Sequence, residues 1–249
     1  MAPKLDIVIP VYNEGANILS TLAALRREVK TCRRILICYD MAEDDTLAAI
    51  AGAPDLVAAL DVQYVRNPGR GVHNAILAGF AASQAPFILV YPADDDYNAG
   101  ILDLMVARAE QGSDIVCASR FMPGGSMKGC PLLKSLLVRS ANFTLRHLAR
   151  LPTHDASNGF RLFSRRVVEL IDVESDRGFC YSIEYLVKSH RLGWKIGEVP
   201  ARWFEREHGT SRFQVLKWLP AYLRWYTYAF ATSWLKAAPE TVKLKTIRI

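Results

Sequence analysis

Five short apolar runs, spaced by helical patterns, constrain this chain more than any other feature. LDIVIPV (5–11), RILICY (34–39), VQYVR (62–66), FILVY (87–91) and DIVCAS (114–119) have the length of strands and little polar alternation. Between them, Ile18, Leu19, Leu22, Leu25 and Val29 fall on one helical face. A second helix over 47–51 begins after a cap at Asp44 or Asp45, and further helices are predicted over 72–82 and 101–109. Strand–helix alternation with short connections predicts an α/β fold, a mostly parallel sheet covered by helices on both faces. Such sheets bind ligands beyond the carboxyl ends of their strands.

Composition adds bounds. The 249 residues are 51% hydrophobic and 22% charged, enough to bury one large core or two small ones and unlike a disordered chain. The five cysteines (32, 38, 117, 130, 180) form no paired CxxC spacing. Cys32, Cys38 and Cys117 lie in or beside apolar stretches, so they are expected to be reduced core thiols of a cytoplasmic protein. The first residues, MAPKLDIVIP, do not read as a secretory signal, and no 18-residue apolar run predicts a spanning helix. The net charge of +6 is concentrated: residues 115–154 hold Arg120, Lys128, Lys134, Arg139, Arg146 and Arg150 and no acid. A solvated helix face, a nucleic-acid surface and an anion site all fit that run. Only Phe121 and Phe143 lie among the charges, too few aromatics for base stacking, and no nucleic-acid partner is expected.

YPADDDYNAG (91–100) sets Asp94, Asp95 and Asp96 side by side at the end of the fourth apolar run. On an extended backbone Asp94 and Asp96 point to one side and Asp95 to the other. Two carboxylates at i and i+2 make a half-shell for a hard cation, Mg²⁺ or Mn²⁺, completed by a ligand phosphate. The competing expectation is an acidic helix start capped by Asn98. Three adjacent acids exceed what a cap needs, and the metal reading is preferred.

Several other chemistries are not signalled. GxxxxGK[ST], HExxH and GxSxG are all missing from the sequence. NPGRGVHNAILAG (67–79) looks like a dinucleotide loop but carries Asn74 where the third glycine belongs.

VIPVYNEGANI (8–18), YDMAEDDT (39–46), the carboxylate cluster, ASRF followed by GG (118–125), RSANF (139–143), SNGFRLFSR (157–165), GFCYSIEYL (178–186), IGEVPARW (196–203) and REHGTSRF (206–213) occur in that order. The set resembles glycosyltransferase family 2 with the GT-A fold, and most of all its polyprenyl-phosphate glycosyltransferases, over roughly residues 5–213. The resemblance implies an inverting hexosyl transfer from a nucleotide sugar (GDP-mannose or UDP-glucose type) to dolichyl or undecaprenyl phosphate. It places Pro10, Tyr12, Glu14 and Asp40 in the nucleotide pocket. Ala93, Asp94 and Asp96 fall at the metal and ribose-diphosphate site, and Arg120 and Lys134 on the acceptor phosphate. Arg206, Ser211 and Arg212 belong to a loop over the donor diphosphate, and Glu184 to the acceptor path.

The chain departs from the family pattern at Pro92, where an acid is expected, at Tyr39 and Val138, and at Lys134 in place of arginine. The last change loses bidentate geometry. The implied chemistry is self-consistent: a phosphate monoester, with a second pKa near ~6, is already an anionic nucleophile and needs no base. A soluble or polysaccharide hydroxyl acceptor would need one, and Asp155 and Glu184 are its candidates. A non-catalytic nucleotide-sugar-binding scaffold is the third alternative.

Residues 1–212 are expected to form the transfer domain, and 213–249 amphipathic membrane-interface helices and a tail. FQVLKWLPAYLRWYTYAFATSWLK (213–236) is rich in Trp and Tyr, with Lys217, Arg224 and Lys236 as its only charges. That composition suits a membrane surface, while a helix pair packed on the core is the alternative.

Overall fold

The computed structural model describes residues 2–204 and 215–246. A seven-stranded sheet is built from β1 (Leu5–Pro10), β2 (Arg33–Tyr39), β3 (Val62–Arg66), β4 (Phe87–Val90), β5 (Ile115–Ser119), β7 (Arg161–Ser164) and β8 (Ile196–Pro200), in the order β3-β2-β1-β4-β7-β5-β8. All neighbouring pairs are parallel except those of β7, which runs antiparallel to both β4 and β5. A small second sheet pairs β6 (Ser126–Lys128) with β9 (Arg202–Phe204).

The central strands are apolar throughout because both faces are covered. Leu5, Ile7 and Ile9 of β1 enter one core with Ile35, Ile37, Leu89 and Tyr91, packed by α1 (Ile18–Glu28) and α5 (Leu102–Glu110). Val8, Leu36, Cys38, Ile88 and Val90 point the other way, toward α4 (Val72–Ala82), α8 (Cys180–Arg191) and α9 (Val215–Trp234). Gly79 shows how closely α4 sits: a Cβ there would lie 2.5 Å from Val8 Cγ1 and 2.8 Å from Cys38 Sγ. The remaining helices are α2 (Asp45–Ala51), α3 (Pro54–Val57), α6 (Leu132–His147) and α7 (Arg165–Leu170). Asp44 caps α2 by accepting from the Thr46 backbone N–H at 2.9 Å, as the sequence predicted.

Three expectations need correction. Cys32 is exposed, and Cys180 joins Cys38 and Cys117 in the core. Asn98 does not cap the following helix; its side chain is engaged elsewhere, and a single 3-10 turn (Ala99–Ile101) leads into α5. The aromatic C-terminal stretch is one helix through Pro220, not a helix pair. Part of its stripe is core: Trp225 and Ala229 are buried, Trp225 Nε1 donates to Ser175 Oγ at 2.9 Å, and Arg191 donates to the Tyr228 carbonyl at 2.9 Å. Leu219, Leu223, Trp234 and Leu235 stay outside.

Candidate active site

The residues singled out in the sequence gather along the carboxyl edge of the parallel strands. Pro10 closes β1, Asp40 follows β2, Ala93 and Asp94 to Asp96 follow β4, and Arg120 follows β5. With strands about 4.8 Å apart, the four intervals from β2 to β5 span roughly 19 Å. That is room for a nucleotide at one end and a second ligand at the other. The chain's direction of winding reverses between β1 and β4, where sheets of this kind open their crevice.

The β1–β2 end of the crevice is held by short polar ties. Asp44 Oδ1 accepts from the Asn13 N–H (3.1 Å), Thr46 Oγ1 from the Glu14 N–H (2.9 Å), and Asp45 Oδ1 from the Gly15 N–H (2.9 Å). The acidic turn therefore fixes the loop that presents Tyr12, which is 45% exposed, and half-buried Glu14. Asp40 accepts from Asn67 Nδ2 at 2.6 Å and from the Gly71 N–H at 2.7 Å, pinning the glycine-rich loop before α4 beside the same crevice. Ala93 is buried, and its carbonyl accepts from Thr21 Oγ1 at 2.8 Å.

The three aspartates have different surroundings. Asp95 is buried; its carboxylate accepts from the Asn98 N–H (2.8 Å), the Tyr97 N–H (3.2 Å) and Asn98 Nδ2 (2.6 Å). Burial pushes this carboxyl up to about 6 against those hydrogen bonds. Asp94 is half-buried and Asp96 exposed, but residues 93–98 form turns and bends rather than the extended backbone expected from the sequence. Among the described residues no group of three His, Cys, Asp or Glu could hold a metal ion. Two carboxylates do suit Mg²⁺ or Mn²⁺, which commonly keep waters and ligand phosphates as their other donors. Asp94 and Asp96 would hold it, and it would supply charge neutralisation to a diphosphate.

Sequence reasoning missed the latch behind these acids. Asn98 Nδ2 also donates to the Arg202 carbonyl (2.8 Å), Asn98 Oδ1 accepts from the Arg202 N–H (2.9 Å), and Arg202 Nη2 reaches the Tyr97 carbonyl (2.8 Å). Tyr97 and Phe204 meet edge to face, with centroids 4.8 Å apart. The carboxylate turn is thereby tied to β9. Arg206, Ser211 and Arg212 lie outside the described residues.

At the β5 end, Arg120 makes a two-pronged pair with Asp155: Nε to Oδ2 at 2.7 Å and Nη2 to Oδ1 at 3.0 Å, with Nη2 also donating to Ser157 Oγ at 2.8 Å. Burial pushes the Asp155 carboxyl up, but the Arg120 charge and hydrogen bonds outweigh it and hold it below the usual carboxylate range. The guanidinium groups of Arg120 (5.1 Å) and Arg139 (5.0 Å) both lie over the Phe121 ring. Lys134 sits on α6 with its ammonium 5.2 Å from the Trp203 ring. Arg120 and Arg139 thus meet at one ring, and Lys134 stands on the same helix as Arg139. Arg161 of β7, another residue whose role the sequence did not reveal, is fully buried and donates to the Ser182 (2.5 Å) and Ala156 (2.6 Å) carbonyls.

Neither candidate base is available. Asp155 is fully buried against Arg120. Glu184 is fully buried, paired with Lys188 at 2.7 Å and accepting from the Glu174 and Ser175 N–H groups. Glu184 is an interior anchor for the α7–α8 connection rather than an acid facing a ligand.

Residues 6–171 match the family described as glycosyl transferase family 2. The chain belongs to that family. It is 28% identical over 216 residues to the polyprenol monophosphomannose synthase of Mycolicibacterium smegmatis, covering 83% of this chain and 79% of that protein. It is 30% identical over 208 residues to an uncharacterised glycosyltransferase of Mycobacterium bovis, covering 83% of this chain and 88% of the other. Glucosyl-3-phosphoglycerate synthase from Mycobacterium tuberculosis, solved with Mn²⁺, UDP and glucosyl-3-phosphoglycerate, superposes with a TM-score of 0.65 at 16% identity over 93% of this chain and 80% of that one. The same enzyme with Mg²⁺ and UDP gives 0.64 at 17% identity, over 93% and 79%. The fold is GT-A-like, and the chain is a glycosyltransferase.

Proposed function

We propose that this glycosyltransferase moves a hexose from a nucleotide sugar to a polyprenyl phosphate at a membrane surface, with inversion at the anomeric carbon. The nucleotide lies across the β1, β2 and β4 ends, against Pro10, Tyr12, Glu14, Asp40 and Ala93. Asp94 and Asp96 face its diphosphate through Mg²⁺ or Mn²⁺, with Arg206, Ser211 and Arg212 over it. Arg120 and Lys134 hold the acceptor phosphate, orient it and screen its charge from the donor's.

The observation that carries the reading is that Asp155 and Glu184 are both buried and paired, while Arg120 follows β5 and Lys134 and Arg139 stand on α6, within the stretch 115–154 that holds no acid. A hydroxyl acceptor lacks the base it needs from either of them, whereas a phosphate arrives already ionised. The likeness to the mycolicibacterial polyprenol enzyme supports the lipid acceptor. The structural neighbour whose complex holds glucosyl-3-phosphoglycerate keeps a soluble acceptor as the second reading.

The test is to titrate UDP- and GDP-sugars with and without Mn²⁺ and then to follow turnover on polyprenyl phosphate. Metal-dependent donor binding followed by turnover is expected. Binding without turnover on any acceptor would favour a scaffold.

A further inference from the structure

α6 is built inside out for a surface helix. At about 100° per residue, Val138, Asn142 and Leu145 share one face. That face packs inward, with Asn142 and Leu145 buried and Val138 half-buried. The opposite face carries Leu132, Leu133, Leu136, Leu137 and Phe143, which are 89, 71, 63, 60 and 61% exposed, with exposed Ser140 and His147 on the same side toward the end of the helix. A water-facing helix normally turns charge outward, and four exposed leucines clustered over its first turns mark a contact surface. Arg139 and Arg146 flank the apolar arc on one side. The helix lies within the stretch 115–154 that holds six Lys/Arg and no acid.

We infer that the outward face of α6 inserts into the headgroup layer of an anionic lipid bilayer, beside the acceptor-phosphate corner. Charge and exposure select this occupant. The leucines project from the outer side of one helix, which a deformable lipid layer accommodates. Its flanking cations complement anionic headgroups, each contributing on the order of 1 kcal/mol near the surface, about fivefold in partition. A second copy docked face to face would set cations against cations. Arg139, on this helix, lies near the same Phe121 ring as Arg120, which places the face beside the Arg120 end of the site. Its orientation toward a lipid acceptor rests on the function proposed above; the insertion itself does not.

The test uses the full chain with Leu132, Leu133, Leu136 and Leu137 all changed to Ser, and Leu104→Ser on α5 as a control. Co-sedimentation with vesicles of equal parts phosphatidylglycerol and phosphatidylcholine is measured without donor or acceptor. The wild type and the control should bind, preferring these vesicles to pure phosphatidylcholine, and the quadruple variant should bind at least about a hundredfold more weakly. Its melting temperature should match the wild type because the replaced side chains are exposed, and Leu136→Asp alone should reproduce the direction of the loss. Turnover of a short-chain, water-soluble acceptor should persist in the variant. Unchanged vesicle binding by the variant, or wild-type binding indifferent to phosphatidylglycerol, would overturn the inference. So would a dimer that the variant dissolves while vesicle binding stays. If polyprenyl phosphate proves not to be a substrate yet the variant leaves the vesicles, the insertion stands and the acceptor reading falls.

Discussion

Asp155→Asn tests whether the β5 corner is organised as described. Asp155 has no exposed side-chain surface and accepts from Arg120 N–H, Nε and Nη2, from Ser157 N–H and Oγ, and from the Asn158 N–H, at 2.7–3.3 Å. An asparagine there keeps one acceptor oxygen but turns an NH₂ toward donors and leaves the Arg120 charge without its counterion. Removing one partner of a buried pair costs ~3–5 kcal/mol. The Arg120 side chain retains 12% exposure and Ser157 Oγ, so the lower end, about 3 kcal/mol, applies. At about 2–4 °C per kcal/mol for a chain of this size, the melting temperature should fall by about 6–12 °C. The sign with pH follows from the direction of the shift: a carboxyl held below its unfolded value stabilises the fold above that value, near ~4, and the contribution is lost as pH falls through the folded value. The gap between wild type and variant should therefore be full at neutral pH and close in acid. Thermal unfolding from neutral pH down to strongly acidic pH, with acceptor KM measured beside it, is the assay. A fall of less than about 2 °C, or a gap that persists in acid, would refute the pairing argument.

Asp94→Asn and Asp96→Asn should each lower turnover by about a hundredfold or more with little change in melting temperature, and EDTA should act like them on the wild type; full activity in EDTA would rule out the metal. Glu184→Gln should cost ~3–5 kcal/mol of stability through Lys188, yet keep kcat/KM within a few-fold in the folded enzyme. A loss of ~10²–10⁴ there would restore Glu184 as a base. Asn98→Ala should cost about 1–3 kcal/mol by stranding Arg202 and Asp95, and should raise donor KM more than acceptor KM. An unchanged donor KM would uncouple the latch from the site.

The parallel half of the fold was legible because strands buried on both faces leave continuous apolar runs, and β1 to β5 fall within a residue or so of those runs. β7 was not read as a strand: it starts at Arg161, whose charge signals surface until its guanidinium is found on the Ser182 and Ala156 carbonyls. The acids after β4 stood out by their crowding, and the structure divides them between buried Asp95 and the more accessible Asp94 and Asp96. The sequence pattern could not show that Asn98 ties the Asp95 turn to β9, because that contact spans more than a hundred residues. The acid-free segment was visible as charge, but its partition between the Arg120 corner and the outward leucines of α6 needed the helix phase and the fold together. Asp155 and Glu184 looked like bases for the same reason: burial and pairing are tertiary facts.

The central claim is that the anion met by Arg120 and Lys134 is a phosphate on a polyprenyl lipid. Mass analysis of the product formed when equal amounts of polyprenyl phosphate and 3-phosphoglycerate compete for one nucleotide sugar and Mn²⁺ addresses it directly. A hexosyl phosphate ester on the lipid, with phosphoglycerate untouched, is the predicted result. Glucosyl phosphoglycerate as the main product, with the lipid unmodified, would contradict it.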